Sequence, residues 1–219
     1  MLKLVTPLGG WLQIGRLVTD AQNIDSYNGA DSIISSNFSN LHKVATQNHL
    51  LDGNKFSYLK SIISFTEYRV YCTKPYHGRT NHAKFSNTKA PSSLLFNYVT
   101  KDSSKELSNL CNVLAYMPDD TSRTRVLDCS SVKPIYNNDQ RMYHGLWFCA
   151  GQVRLTISHN SFLDCDDHKN EPGYNLYGTW MFYVRWKSFK NFKIFKISSV
   201  KQFGKIKNIL ISNWRSNLV

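Results

Sequence analysis

The sequence predicts an α+β fold dominated by strands, a twisted antiparallel sheet with short helices and long loops. Three observations lead to this prediction. Residues 65–86 alternate apolar and polar side chains around a turn, which is the pattern of a β-hairpin. Residues 11–18 and 178–185 are rich in β-branched and aromatic residues, as strands are. Aromatic residues make up 13% of the chain and charged residues 19%, which suits a globular domain with an aromatic core.

The first strand is predicted at WLQIGRLV, residues 11–18, directly after two glycines. Residues 20–48 are polar and rich in Asn, Ser and Asp, so they predict a long surface loop with a short helix at 41–45. Asp52 is a candidate helix N-cap, and Phe56, Leu59 and Ile63 follow it at helical spacing. A short amphipathic helix is therefore predicted there.

The alternation within the hairpin predicts which side chains share each face of its two strands. Tyr68, Val70 and Cys72 should face one side of the first strand, because successive side chains alternate. Pro75 and Gly78 predict the turn. On the returning strand, Arg79, Asn81, Ala83 and Phe85 should lie opposite Thr80, His82 and Lys84. SLLFNYV, residues 93–99, reads as a third strand and predicts a meander.

The second half of the chain is less regular. Residues 101–145 are rich in loops, and strands are predicted at 146–158 and 178–185. FLDCDDHKNEPG, residues 162–173, predicts an acidic turn between them. The formal charge is +12, of which residues 186–219 supply eight basic residues and no acidic ones. We therefore predict a recognition domain at 1–185 and a Lys/Phe-rich tail at 186–219 that need not belong to the fold.

The ordered motifs GGW, YLKSII, TEYRVYC, GRTNHAKFSNTK and LLFNYV, over roughly residues 9–100, resemble the first half of a fibrinogen C-terminal-like domain. The second half departs from that family, because its calcium loop and Gly-Gly-Trp-Trp segment are missing. DQRMYHGLWF, FLDCDDH and GTWMFYVR are instead similar to a divergent group of extracellular invertebrate domains. The resemblance implies a fibrinogen-like fold and an extracellular location, and it implies no particular ligand.

The five cysteines contain no CxxC pair, which excludes a zinc ribbon and a thioredoxin-type motif by spacing. Their wide separation favours disulfides. Cys111 and Cys129 bracket 17 residues and form one candidate pair, and Cys72 with Cys165 forms the other. Cys149, within an apolar run, would remain a buried free thiol. Fifteen arrangements of two bridges are possible, so the connectivity stays open.

An oxidising, extracellular location is also compatible with the sequon at 37–39. The first residues, MLKLVTPLGGW, are too short and too interrupted for a signal peptide. Either the protein is cytosolic, or the chain lacks its true start. No stretch of about 18 uncharged apolar residues occurs, so no transmembrane segment is predicted.

Four carboxylates fall within residues 164–171, and Asp164 and Asp166 alternate to the same side of the chain. Calcium prefers such oxygen ligands, so these two aspartates are the predicted metal ligands. The alternative is an exposed acidic turn without a metal. Cys72, His77 and His82 have the spacing C-x4-H-x4-H, but strand alternation does not require them to converge on zinc.

Aromatic and polar residues in predicted turns are the candidates for ligand recognition, because they offer stacking faces and hydrogen-bond donors. Aromatic residues of a β-rich domain are otherwise most often core. The predicted ligand-binding residues are Tyr76, His77, Arg79, Tyr136, Tyr143 and His144.

These observations favour a secreted or cell-surface recognition or adhesion module that binds glycans or extracellular proteins and is not an enzyme. No nucleophile turn or oxyanion-hole motif accompanies the cysteines and histidines, although a hydrolase built on Cys, His and Asp residues is an alternative. A second alternative is that the basic tail binds anionic lipid or nucleic acid, with no nucleic acid expected on the body.

Overall fold

The computed structural model describes residues 10–22, 33–35, 41, 43–62, 64–88, 92–99, 113–126, 132–134, 146–148, 153–157 and 163–186. Strands dominate these residues, together with two short helices and one helical turn. The strands are β1 (Trp11–Thr19), β2 (Ile34–Ser35), β3 (His49–Leu51), β4 (Phe65–Thr73), β5 (Thr80–Ser86), β6 (Ala115–Tyr116), β7 (Val132–Pro134), β8 (Leu146–Phe148), β9 (Val153–Ile157), β10 (Leu163–Asp167) and β11 (Gly178–Trp186). The helical segments are α1 (Gly53–Ile62), α2 (Ser92–Val99) and the turn α3 (Arg123–Val126).

The strands form two sheets. The larger has seven strands in the order β2-β3-β1-β11-β4-β5-β6, and the smaller has four in the order β10-β9-β8-β7. All neighbouring strands are antiparallel except the short β2 and β3. The β-dominant, largely antiparallel architecture confirms the coarse fold class predicted from the sequence.

The centre of the large sheet is built from strands at opposite ends of the described chain. β11 lies between β1 and β4, and all three are nine residues long. Trp11 pairs with Arg185 at one end of β1, and Thr19 pairs with Gly178 at the other. β11 ends at Trp186, one residue beyond the boundary predicted for the domain, and residues 187–219 lie outside the described part.

The predicted hairpin is confirmed as β4 and β5. Tyr68 pairs with Phe85 and Val70 with Ala83, and these side chains are buried together with Cys72. The intervening turn closes with a hydrogen bond from the Gly78 amide to the Lys74 carbonyl oxygen at 3.0 Å. Gly78 has a φ of 65°, a conformation that favours glycine, so the sequence places the right residue at that point.

The predicted helix after residue 51 is confirmed as α1. Asp52 Oδ1 accepts hydrogen bonds from the amides of Asn54 at 2.9 Å and Lys55 at 3.1 Å, which is N-capping. Phe56 and Leu59 are buried against the sheet, and Ile63 lies outside the described residues. Residues 41 and 43 have 3₁₀-helical geometry and hydrogen-bonded turns follow at 44–46, in the region where a short helix was predicted.

The predicted third strand, SLLFNYV, is wrong, because residues 92–99 form helix α2. Leu95, Phe96, Tyr98 and Val99 are buried at helical spacing, so one helix face packs on the core. Ser92 lies at the start of α2, where its Oγ accepts a hydrogen bond from the Ser86 amide at 2.7 Å. The second neighbour of β5, besides β4, is therefore β6, and the predicted meander does not form.

Two further predictions for the second half need correction. The segment predicted as one strand at 146–158 contains two strands, β8 and β9, which pair antiparallel with each other. Residues 163–167 of the predicted acidic turn form the buried strand β10. A bulge between Cys165 and Asp167, with a φ of 60° at Asp166, breaks the alternation that was expected to place Asp164 and Asp166 on one side.

A disulfide joins the two sheets. Cys72 on β4 is bonded to Cys165 on β10, with 5.8 Å between their Cα atoms, and both residues are fully buried. The predicted pairing of these two cysteines is confirmed. Cys111, Cys129 and Cys149 lie outside the described residues. No helix in the described ranges is long and apolar enough to cross a membrane.

Candidate functional site

A groove lies on the face of the large sheet that points away from the core. Its volume is about 350 Å³, and it crosses β11, β4 and β5. Strand pairing explains its composition, because Arg69 pairs with Tyr183, Tyr71 with Met181 and Thr73 with Thr179 across β4 and β11. Alternation directs all of them to this face. The groove is lined by Arg69, Tyr71, Thr73, His82, Thr179, Met181 and Tyr183.

Arg69 is the buried cation of the groove, with only 7% of its surface exposed. Its guanidinium carbon lies 4.6 Å from the ring centre of Trp11 and 4.1 Å from that of Tyr183. Burial lowers the pKa of Arg69, and Tyr183 partly opposes that effect. Arg69 Nε is buried and has no hydrogen-bond partner within the part of the chain that the structure describes. An unpaired buried donor is costly, which makes this atom a candidate ligand contact.

His82 lies in the same groove and is oriented by a carboxylate. Its Nδ1 is 2.6 Å from Asp119 Oδ1, and its ring meets the Tyr71 ring edge to face at 5.2 Å between centres. Burial lowers the pKa of His82, while Asp119 opposes the shift. His82 Nε2 is buried without a hydrogen-bond partner among the described residues. The groove therefore holds two nitrogen atoms with unused hydrogen-bonding capacity.

A second polar assembly lies where the β4–β5 turn meets β10, and we call it the ionic cluster. Lys74 Nζ is 2.8 Å from Asp167 Oδ2, and Arg79 Nε is 2.6 Å from Asp166 Oδ2. Glu171 forms an ion pair with Arg123, whose amide also donates to both carboxylate oxygens of Asp166 at 2.9 Å. The ionic cluster consists of Lys74, Tyr76, Arg79, Arg123, Asp166, Asp167 and Glu171.

Three of the predicted ligand residues lie in or beside this cluster. Tyr76 Oη donates to Asp167 Oδ2 at 2.7 Å, and Arg79 Nη2 donates to the Asp166 carbonyl oxygen at 2.9 Å. His77 Nδ1 accepts from the Arg79 amide at 3.0 Å, and its Nε2 lies 3.0 Å from the Cys165 carbonyl oxygen. These bonds hold the turn against β10. Tyr136, Tyr143 and His144 lie outside the described residues.

The predicted calcium ligands already have protein partners. Burial raises the pKa of Asp166, and the hydrogen bonds that it accepts from the Arg123 amide and from Arg79 oppose that shift. Asp164 is buried on β10. In the described ranges, no three His, Cys, Asp or Glu side chains are grouped as a metal site. Calcium at Asp164 and Asp166 stays a prediction. Zinc at Cys72, His77 and His82 loses its thiolate, because Cys72 is in the disulfide.

The sequence did not single out Arg69, Tyr71 or His82 as one site. The only signal was their position on the polar face of the predicted hairpin. Thr179, Met181 and Tyr183 come from β11, about a hundred residues further along the chain, and single-sequence patterns do not reveal that pairing. Comparison with protein-family models, curated proteins and solved structures gave no match for this chain. The candidate site therefore rests on its own geometry.

Proposed function

We propose that this chain is a secreted or cell-surface recognition module with a fibrinogen-like fold, which binds a glycan or protein ligand in the groove without catalysis. One observation carries the proposal. Arg69 lines the open groove, and its side chain is almost fully buried between two aromatic rings. Its Nε has no hydrogen-bond partner among the described residues. Nε is itself buried, so a ligand oxygen would supply the missing hydrogen bond after a small movement of the Arg69 side chain.

The other residues of the groove suit a sugar better than a long peptide. Tyr71 offers apolar ring surface, and the hydroxyls of Thr73 and Thr179 lie nearby. The Thr73 hydroxyl donates to the Arg79 carbonyl oxygen at 3.1 Å, so towards a ligand it would act as an acceptor. Sugars are recognised by this combination of apolar faces and directed hydrogen bonds. The volume of about 350 Å³ lies at the small end of the range for ligand sites, which favours a short glycan unit.

The disulfide between Cys72 and Cys165 supports an oxidising location, because disulfides persist chiefly in secreted and cell-surface proteins. An extracellular address follows as part of the same proposal. The alternative location, the cytosol, would leave both thiols reduced in protein isolated without oxidation.

One observation favours the hydrolase alternative. His82 Nδ1 lies 2.6 Å from Asp119 Oδ1, and an imidazole oriented by a carboxylate is the base of many acyl transferases. Catalysis would also need a nucleophile beside His82 Nε2, and that atom has no hydrogen-bond partner in the described ranges. Cys72 and Cys165 cannot supply one as thiols. Lipid or nucleic-acid binding by the basic tail concerns residues outside the described part.

The test is a glycan array with and without calcium, followed by calorimetric titration of the best glycan. We expect Arg69→Met to weaken binding about tenfold or more, because the ligand loses a charge-assisted hydrogen bond. Lys43→Met removes the same charge from an exposed turn and serves as the matched control. The glycan recovered after incubation should be chemically unchanged.

Three results would contradict the proposal. Equal affinity of the wild type and Arg69→Met would place the ligand outside the groove. Conversion of the glycan, abolished by His82→Gln, would favour the hydrolase. Absence of binding to glycans and to a panel of extracellular proteins would remove the recognition function itself.

A further inference from the structure

Lys74 has an unusual environment for a lysine, since it is fully buried at 0% exposure. Its Nζ lies 2.8 Å from Asp167 Oδ2 and donates to the Asn175 carbonyl oxygen at 2.7 Å. The Tyr174 ring centre is 4.0 Å from Nζ, and the Trp180 ring centre is 5.9 Å away. Water is therefore excluded from the amine, and aromatic faces surround it.

Asp167 is also fully buried, and its two oxygens have different partners. Oδ1 accepts a hydrogen bond from the Cys165 amide at 2.6 Å. Oδ2 accepts hydrogen bonds from Lys74 Nζ and from Tyr76 Oη, the latter at 2.7 Å. One oxygen thus faces a backbone N–H, and the other faces the amine and a phenol.

A fully buried ammonium–carboxylate pair pays a large desolvation cost, which a proton transfer within the pair removes by leaving an amine and a carboxylic acid. Burial lowers the pKa of Lys74, while Asp167 opposes that shift. A neutral amine is a nucleophile, and a lysine in an apolar pocket is a common way to obtain one.

We propose that Lys74 and Asp167 form an intramolecular isopeptide bond, an amide between Lys74 Nζ and Asp167 Cγ. The geometry that carries it is a buried amine in hydrogen-bond contact with a buried carboxyl whose two oxygens are held by separate donors. The bond would join the β4–β5 turn to β10, two residues from each end of the disulfide between Cys72 and Cys165.

The reaction needs no oxidant or cofactor. One proton of the Lys74 ammonium passes to Oδ2, and the Nζ lone pair then attacks Cγ. The negative charge that develops on Oδ1 is stabilised by the Cys165 amide, as in an oxyanion hole. Oδ2 takes a proton, with Tyr76 Oη as its nearest donor apart from the amine, and leaves as water. One C–N bond forms, one C–O bond breaks, and the phenol regains its proton from the amine nitrogen.

The experiment is mass spectrometry of the full chain after denaturation, complete reduction and alkylation. We expect a mass that is lower by one water than the mass calculated from the sequence with its cysteines alkylated. After trypsin, residues 70–79 and 155–169 should remain linked as one species. Reduction is essential, because the same two peptides also carry Cys72 and Cys165. A succinimide at an aspartate would also lose water, but the two peptides would then be separate.

Three variants sharpen the result. Lys74→Arg keeps the positive charge but has no acylable amine, so its mass should be that of the unmodified chain. Asp167→Asn should give the same linked product as the wild type, because an amide loses ammonia where the acid loses water. Tyr76→Phe removes a proton donor to Oδ2 and should slow the reaction, leaving a larger unlinked fraction after refolding from the reduced chain.

The proposal is overturned if folded wild-type protein, with the Cys72–Cys165 disulfide verified before reduction, has the unmodified mass and yields the two peptides separately. The wild-type measurement decides this outcome alone, so it does not depend on whether any variant folds. Glycan binding does not enter the readout, and the recognition function can therefore fail or hold independently.

Discussion

The guanidinium carbon of Arg69 lies 4.1 Å from the centre of the Tyr183 ring, on the face of the sheet opposite the core. Trp11 contacts the same guanidinium from another strand, with 4.6 Å to its ring centre. Trp11 lies on β1, Tyr183 on β11 and Arg69 on β4. These three side chains therefore meet only when strands from both ends of the described chain are paired in the sheet. Arg69 also lines the groove on this face.

We predict that Arg69→Met changes the free energy of unfolding by no more than about 2 kcal/mol. The lost cation–π attraction, about 1 kcal/mol for each ring, is offset because a buried charge no longer has to be desolvated. Urea denaturation of the wild type and the variant measures the difference. A much larger loss of stability would show that Arg69 is chiefly a structural residue, and binding defects in the variant could then not be assigned to the groove.

The disulfide is predicted to be a major source of stability. Cys72 and Cys165 are 93 residues apart, and closing a loop of that length stabilises the fold by about 4.6 kcal/mol in the chain-entropy description. The proposed Lys74–Asp167 amide would close the same loop, so the disulfide is tested in the Lys74→Arg background, which cannot form that amide. There we expect the added Cys72→Ala/Cys165→Ala substitutions to lose several kcal/mol in urea denaturation. Adding a reducing agent should destabilise Lys74→Arg and leave the triple variant unchanged. Equal stability of these two proteins without reductant would contradict the prediction.

The sequence predicted those elements whose signal is local. The β4–β5 hairpin, the Asp52 cap of α1 and the strand at β11 each follow from alternation or turn residues within a few positions. Residues 93–99 were misassigned because a short apolar run fits a buried helix as well as a strand, and only packing of Leu95 and Phe96 on the core decides between them.

The buried acidic strand could not be predicted for a different reason. LDCDD is too polar for a core strand unless cations far away in sequence neutralise it. Lys74, Arg79 and Arg123 do so, and they lie about forty to ninety residues before it. The groove escaped prediction similarly, since Tyr183 and Arg69 meet only when β11 is inserted beside β4.

The calcium prediction can be tested at Asp164 and Asp166. If these residues bind calcium, a hundredfold excess over Kd should stabilise the protein by about 2.7 kcal/mol, which raises the unfolding temperature by several degrees. The double Asn variant should lose that shift. Asp166→Asn also weakens the contact with Arg79, so each protein must be compared with itself with and without calcium. An equal shift in both proteins places the ion elsewhere, and no shift in either disproves the prediction.

Gly178 is predicted to tolerate no side chain. A Cβ atom there would lie 2.8 Å from the Thr73 carbonyl oxygen and 2.8 Å from a ring carbon of Trp180. We expect Gly178→Ala to cost about 1–3 kcal/mol of unfolding free energy through overpacking. Gly78→Ala is the control, because a Cβ at residue 78 meets no atom within 4 Å and carries only the strain of its φ of 65°, about 1 kcal/mol. A smaller loss at Gly178 than at Gly78 would contradict the prediction.

The fold is predicted to lose stability in mild acid because of His77 and His82. Burial lowers the pKa of both imidazoles below the ordinary value of 6.5, and at His77 the Arg79 charge adds to the effect. The Arg79 amide also donates to Nδ1 of His77, so that nitrogen can gain a proton only by breaking the bond.

The sign of the effect follows from proton linkage. As the pH falls below about 6.5, the unfolded chain binds protons at these two histidines. The folded protein does not bind them until the pH reaches the lowered pKa of each imidazole. Between those two pH values, acidification therefore stabilises the unfolded state relative to the folded one. The slope is at most about 1.4 kcal/mol per pH unit for each histidine. Urea denaturation across the window should show a smaller slope in His77→Gln and in His82→Gln, and the smallest in the double variant. An undiminished slope in the double variant would assign the acid sensitivity to other groups, and a wild type that gains stability on acidification would refute the sign.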